Sequence, residues 1–169
     1  MITELGEWVL FNALATHRQW NEAGLKPGVL AVNVSPRQLL ETNFSDMVER
    51  LLEATCVAPD DLELEITEST RLDNLDQVVN TMLRLQDVGV NFALDDFGAG
   101  SASFQYLSVL EVDIVKLDGS AVRNAQVAPK GRAFFSALTS LCHNLDVETV
   151  AEMIDSPNSL KFVRECGVQ

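Results

Sequence analysis
The apolar positions of this chain switch repeatedly between helical and extended spacing. Residues 5–19 place Leu5, Trp8, Val9, Phe11, Leu14 and Ala15 at intervals that suit a helix. Gly24 and Pro27-Gly28 end that helix. Leu30-Ala31-Val32-Asn33-Val34-Ser35 reads as the first strand, Pro36 opens a short helical turn, and a helix covers 44–55. A turn at Pro59-Asp60-Asp61 leads into a strand at 62–67, and a helix at 75–88 stops at Gly89. Further strands are predicted at 91–95, 113–117 and 147–151. Further helices are predicted near 104–107, at 131–145 and at 158–165, the last ending at Gly167.

Five consecutive strand-helix units imply a parallel α/β architecture. The strands are apolar almost throughout, as expected where both faces of a sheet are covered. A doubly wound sheet and a TIM barrel both fit, and the polar positions help to choose. Asn33, Glu65, Asp95, Lys116 and Glu152 each lie in or at the C-terminal part of a different predicted strand. A TIM barrel gathers its catalytic residues at that end from several strands. A doubly wound sheet more often concentrates them at one switch point, and neither GxGxxG nor GxxxxGK[ST] occurs here. No linker or low-complexity run interrupts the 169 residues, so the expectation is one domain over 1–169 with no second domain.

Composition is ordinary for a globular protein, 47% hydrophobic and 22% charged. The net charge of −13 is not. It disfavours DNA, RNA and anionic lipid surfaces, although cations held by carboxylates can invert the field locally and admit a small phosphate ester. No apolar stretch is long enough to span a bilayer, and the start lacks a basic secretory signal, so a cytoplasmic location is expected. Cys56, Cys142 and Cys166 are odd in number, lack CxxC spacing, and are expected reduced in or near the core. His17 and His143 have no metal-ligand pattern.

The most informative run is Phe92-Ala93-Leu94-Asp95-Asp96-Phe97-Gly98-Ala99-Gly100-Ser101. Neighbouring strand residues face opposite ways, so an Asp-Asp pair fits a strand interior poorly. At a strand end both carboxylates can converge on a hard cation, which takes oxygen ligands. Taken singly, each candidate also has a plainer role. The Asp pair suits an acidic turn, Asn33 a turn cap, Lys116 an ion pair with Asp95 or Glu65, and Glu152 the start of a loop. Glu65 is either exposed on a half-covered strand or buried with a partner, and a buried Glu65 demands a cation. Five such residues at matching heights favour a shared site.

The strings Ala31-Val32-Asn33-Val34-Ser35, Glu63-Leu64-Glu65-Ile66-Thr67-Glu68, Leu94-Asp95-Asp96-Phe97-Gly98-Ala99-Gly100, Val115-Lys116-Leu117-Asp118 and Val150-Ala151-Glu152 occur in the order found in EAL domains. The chain therefore resembles the bacterial cyclic di-GMP phosphodiesterases, whose fold is a modified TIM barrel. The resemblance implies hydrolysis of cyclic di-GMP to linear pGpG with two divalent cations, Mg²⁺ or Mn²⁺. It implies metal ligation by Asn33, Glu65 and Asp95, with Asp96 beside a second cation. It places Lys116 near the attacking water and phosphate, Glu152 at the second metal or water, and Glu68 as anchor of the loop 97–103. Asp118 and Asp155 fall in its substrate and loop positions.

The departures from the family pattern are as informative. No Glu-Ala-Leu string occurs, nor the metal-ligating Glu and substrate-contacting Arg that the family carries with it. The family continues beyond Gln169 into a last strand, and a TIM barrel typically takes roughly 250 residues. Where the family usually has Glu-Gly-Val-Glu, this chain has Glu152-Met153-Ile154-Asp155. The expected fold class is thus α/β, an incomplete TIM-type (β/α) barrel of about five parallel strands alternating with helices. These 169 residues are expected to be weakly active or inactive by themselves. They are also expected to self-associate, as a homodimer or otherwise, through the open edges at 30–34 and 147–151. The alternatives are a non-catalytic cyclic di-GMP binding or protein-interaction module and, more distantly, a metal-dependent hydrolase of another barrel family.

Overall fold
The structure, a computed structural model, describes residues 2–67, 74–98 and 106–168. Its contacts divide the chain into two compact units, one ending within the third strand at Phe92 and the other running from Ala93 and including Thr67.

The first unit begins with helix α1 (Ile2–Glu22), followed by strand β1 (Leu30–Asn33), the short helix α2 (Pro36–Leu39) and helix α3 (Phe44–Thr55). A 3-10 turn at Pro59–Asp61 leads into β2 (Leu62–Thr67), and α4 (Leu75–Gln86) follows. Strands β1 and β2 pair in parallel, Leu30 with Leu62 through Asn33 with Glu65. Val32, Leu62, Leu64 and Ile66 are buried, so the covered faces read as the apolar runs they are. Helix α3 turns Phe44, Met47, Val48, Leu51 and Leu52 inward at three- and four-residue intervals. It ends where Cys56 takes the left-handed conformation at φ 52°.

Helix α1 forms where the spacing suited a helix, but it buries few of the apolar residues that set that spacing. Leu5, Trp8, Val9 and Phe11 are exposed, and the buried stripe is Leu10, Leu14 and His17 instead. Apolar residues occur all round this helix, so spacing alone could not choose the face. The choice is marked by His17, whose Nε2 lies 2.7 Å from the Gly28 carbonyl oxygen and ties the helix to the loop before β1. Cys56 also corrects an expectation, because it is exposed while Cys142 and Cys166 are buried.

The second unit carries β3 (Asn91–Phe97, from Ala93 onward), β4 (Ile114–Leu117), α5 (Gly119–Val127), α6 (Gly131–Asn144), β5 (Glu148–Ala151) and α7 (Pro157–Glu165). Strand β4 pairs in parallel with β3 on one side and β5 on the other. Phe135 and Phe162 bring α6 and α7 together, their ring centroids 5.7 Å apart. Helices α5 and α6 approach so closely at Gly131 that a β-carbon there would lie 2.1 Å from the Ala125 carbonyl oxygen. Sequence spacing predicts neither α5 nor its length, since only Gly119, Val122 and Ala125 of its nine residues are buried. The short helix expected near 104–107 falls partly outside the described residues, as does Glu68.

Strand β3 runs two residues beyond its expected end and takes in both aspartates. Leu94 pairs with Val115 but Phe97 pairs with Leu117, so three steps along β3 match two along β4. The extra residue is a β-bulge, with Asp96 at φ 56°. Its consequence is positional. Leu94 and Phe97 both stay buried, and the single residue between their partners, Lys116, faces Asp95 and Asp96 together.

Candidate active site
In the first unit, the parallel register sets Asn33 beside Glu65. The Asn33 Nδ2 donates to Glu65 Oε2 at 3.1 Å. Asn33 is exposed and Glu65 is only 5% exposed. The amide therefore satisfies part of a carboxylate that burial would otherwise leave costly. The backbone continues the ladder one residue further, Val34 N–H donating to the Glu65 carbonyl, before the Ser35 N–H donates to Gln38 Oε1 at 3.0 Å at the start of α2. That contact lies two residues after Asn33, where β1 ends.

In the second unit, β3, β4 and the segment after β5 bring together Asp95, Lys116 and Glu152. Lys116 Nζ lies 2.7 Å from Glu152 Oε1 and 3.6 Å from Asp95 Oδ1. All three side chains are largely covered, with 18% of Lys116, 14% of Asp95 and 31% of Glu152 exposed. Asp95 Oδ1 is buried and has no hydrogen-bond partner among the described residues. At 3.6 Å the ammonium holds it by charge alone, beyond hydrogen-bonding distance.

Asp96 and Asp118 border this group. Partial burial, then the like charges of Asp95, Asp118 and Glu152, push the Asp96 carboxyl above the usual range, while Lys116 pulls it down. Asp96 remains exposed, so water screens these charges in part. The Ser120 hydroxyl holds the Asp118 carboxyl below the usual range, against burial, with help from the N–H groups of Ser120 and Ala121 and from Arg123. Asp118 is the N-cap of α5: its Oδ1 accepts from the Ser120 N–H at 2.8 Å and from the Ser120 hydroxyl. Sequence reasoning did not foresee this cap, although Asp two residues before Ser at a strand end was the available signal. Asp155 is exposed in the loop before α7. Met153 is exposed too, at φ 53°, a conformation that favours glycine.

Of the residues singled out in the sequence, Asn33 and Glu65 thus meet in one unit, and Asp95, Lys116 and Glu152 in the other. Among the described residues, no group of three or more His, Cys, Asp or Glu side chains is placed to hold a metal ion. The donors present nonetheless suit a hard divalent cation, since they are oxygens and the buried Asp95 Oδ1 is an acceptor still without a hydrogen bond.

The sequence profile of the EAL domain family matches residues 1–169, and the chain belongs to that family. Cyclic di-GMP phosphodiesterase NbdA of Pseudomonas aeruginosa is 33% identical over 165 residues, which are 98% of this chain and 21% of NbdA. The EAL domain of Mycobacterium smegmatis DcpA superposes with a TM-score of 0.88 at 31% identity, over 99% of this chain and 75% of that one. The PaMucR phosphodiesterase in complex with c-di-GMP superposes with a TM-score of 0.86 at 30% identity, over 99% and 68% of the two chains. The chain spans about a fifth to a quarter of the length of the curated relatives it matches. Strands alternating with helices in parallel ladders, the pattern of the TIM-type barrel, are what it shares with these EAL domains. Among the described residues, no helix is long and apolar enough to cross a membrane.

Proposed function
We infer that the protein acts on cyclic di-GMP, hydrolysing one phosphodiester bond to give linear pGpG in the cytoplasm. The observation that carries this reading is the group at β3, β4 and β5. There a half-buried aspartate whose Oδ1 lacks a hydrogen bond, a covered lysine and a glutamate stand together at strand ends, in a chain matched along its length by the EAL profile. Asp95 and Asp96 in the second unit would hold Mg²⁺ or Mn²⁺, Asn33 and Glu65 are the candidate donors of the first unit, and such ions when bound lower the pKa of water and brace the attacking and leaving oxygens. Lys116 supplies a fixed positive charge against the phosphate as negative charge develops on it. Glu152 accepts from Lys116 and keeps the ammonium at the strand ends. Asp118, held ionised by its cap, fixes the start of α5 beside them.

Residues 1–169, as one partial EAL domain, contain no Glu-Ala-Leu strand. By this reading they turn over little cyclic di-GMP in isolation, and copies of them associate through the edges of β1 and β5. The second reading, binding without hydrolysis, is favoured by Met153, a left-handed non-glycine where the family usually has glycine. The test is chromatography of cyclic di-GMP incubated with Mg²⁺ or Mn²⁺ and the protein in a form that supplies the Glu-Ala-Leu strand, alongside Asp95→Asn. Formation of pGpG that Asp95→Asn abolishes supports hydrolysis. Binding of cyclic di-GMP without turnover moves the assignment to a receptor, and neither binding nor turnover overturns both readings.

A further inference from the structure
We propose that Lys116 is a built-in counter-cation that competes with a divalent ion for Asp95, so that loading the ion releases the ammonium from Asp95. The inference rests on the reading of Asp95 as a cation ligand and adds a role for the lysine beside it. Three observations carry it. The bulge in β3 leaves Lys116 facing both Asp95 and Asp96, so the only strand position between two buried apolar pairs is a cation opposite two carboxylates. The ammonium is anchored on the other side by Glu152 at 2.7 Å. Asp95 Oδ1, in contrast, sits 3.6 Å from Nζ, buried and without a hydrogen bond.

The lysine thus lies at hydrogen-bonding distance from Glu152 and only electrostatically close to Asp95. Its charge lowers the cost of burying Asp95 when no metal is present. The same charge opposes a second cation arriving at the same oxygen, because like charges repel strongly where little water screens them. Binding of the ion and the hold of Lys116 on Asp95 are therefore coupled negatively, and each weakens the other by the same factor. Once the ion satisfies Asp95, Lys116 keeps its anchor on Glu152.

The experiment is calorimetric titration of MnCl₂ into the metal-stripped protein, with wild type, Lys116→Met, Lys116→Arg and Lys116→Met/Asp95→Asn compared. Thermal unfolding in EDTA and in MnCl₂ provides a second readout. Lys116→Met is expected to bind Mn²⁺ at least about fivefold more tightly than wild type, at the lower end of ordinary coupling between sites. Its melting temperature should also rise more on adding Mn²⁺. Lys116→Arg, which keeps the charge, should stay near wild type, and Asp95→Asn should cancel the gain. Equal or weaker binding by Lys116→Met would overturn the counter-cation role while leaving Asp95 as a ligand. Absence of Mn²⁺ binding in wild type and Lys116→Met alike would overturn both.

Discussion
Replacing Lys116 with methionine should destabilise the protein in EDTA at pH 7 by about 2–3 kcal/mol, somewhat below the ~3–5 kcal/mol typical of breaking a wholly buried pair. Methionine keeps most of the side-chain volume and removes the charge. At an effective dielectric constant of about 20, the attraction of Nζ at 2.7 Å to Glu152 is roughly 6 kcal/mol and at 3.6 Å to Asp95 roughly 5 kcal/mol. Most of that is returned as the cost of withdrawing three charges from water. What remains visible on mutation is chiefly the penalty of Asp95, 14% exposed, kept buried without its counter-charge. Glu152, at 31% exposed, can rotate toward solvent and contributes less.

The partition is measurable. Urea unfolding of wild type, Lys116→Met, Asp95→Asn and the double variant, followed by circular dichroism, gives the coupling directly. The double variant should recover at least about 1 kcal/mol relative to Lys116→Met, since coupling between contacting charged residues spans roughly 0.5–3 kcal/mol. Glu152→Gln should couple to Lys116 more weakly than Asp95→Asn does, despite its shorter distance. The reasoning fails if Lys116→Met lies within about 0.5 kcal/mol of wild type, the usual effect of a surface change. It fails equally if Glu152 proves the stronger partner, because burial rather than distance is argued to set the cost.

Two further outcomes follow from the carboxylates around this group. The Asp96 carboxyl sits above its usual range in the folded chain, so folding binds protons there. Its contribution to stability is therefore lost as pH rises from the ordinary carboxylate value of about 3.9 through the raised folded value. Asp96→Asn, which tolerates φ 56°, should gain on wild type in urea midpoint between pH 4 and pH 7, and a gap that does not widen with pH would count against the assignment. Asp118 behaves oppositely, its carboxyl being held low by Ser120. Its stabilisation is present above the ordinary carboxylate range and lost as pH falls through the lowered folded value, so Asp118→Ala should cost about 0.5–2 kcal/mol at pH 7 and progressively less in acid.

How much was legible depended on whether one stretch of chain contained its own signal. Helix α3 and strand β2 were readable to the residue because Phe44, Met47, Val48, Leu51 and Leu52 keep one helical period and Leu62–Thr67 is bounded by a proline turn. The candidate residues Asn33, Glu65, Asp95, Lys116 and Glu152 were readable as polar residues where strands should be apolar. The pairing of Lys116 with Asp95 was not, since it depends on register. Helix α5 was hidden because its exposed residues, Arg123, Asn124 and Val127 among them, show no stripe, and its start is set by Asp118 capping. The buried face of α1 was hidden for the opposite reason, an excess of apolar residues, of which Trp8 is 63% exposed.

The Asp95-Asp96 pair lies within the last three residues of its strand, as expected, but by a route that alternation did not foresee. Alternation does forbid two adjacent strand residues from sharing a face, and this argued for ending the strand at Asp95. The fold keeps the strand and changes the alternation. One added residue at left-handed φ lets Phe97 resume the buried face that Leu94 left, pairing with Leu117 as Leu94 pairs with Val115. Both carboxylates then occupy the interval opposite Lys116. The cost is a non-glycine left-handed residue and an aspartate oxygen left without a hydrogen bond, in a strand that is otherwise buried and well paired. Strain and an unmet acceptor at the same two residues are hard to explain by stability, because a regular strand with one aspartate would avoid both. They are what a strand end would carry if it had to present two negative charges to one place, and that demand is chemical rather than structural.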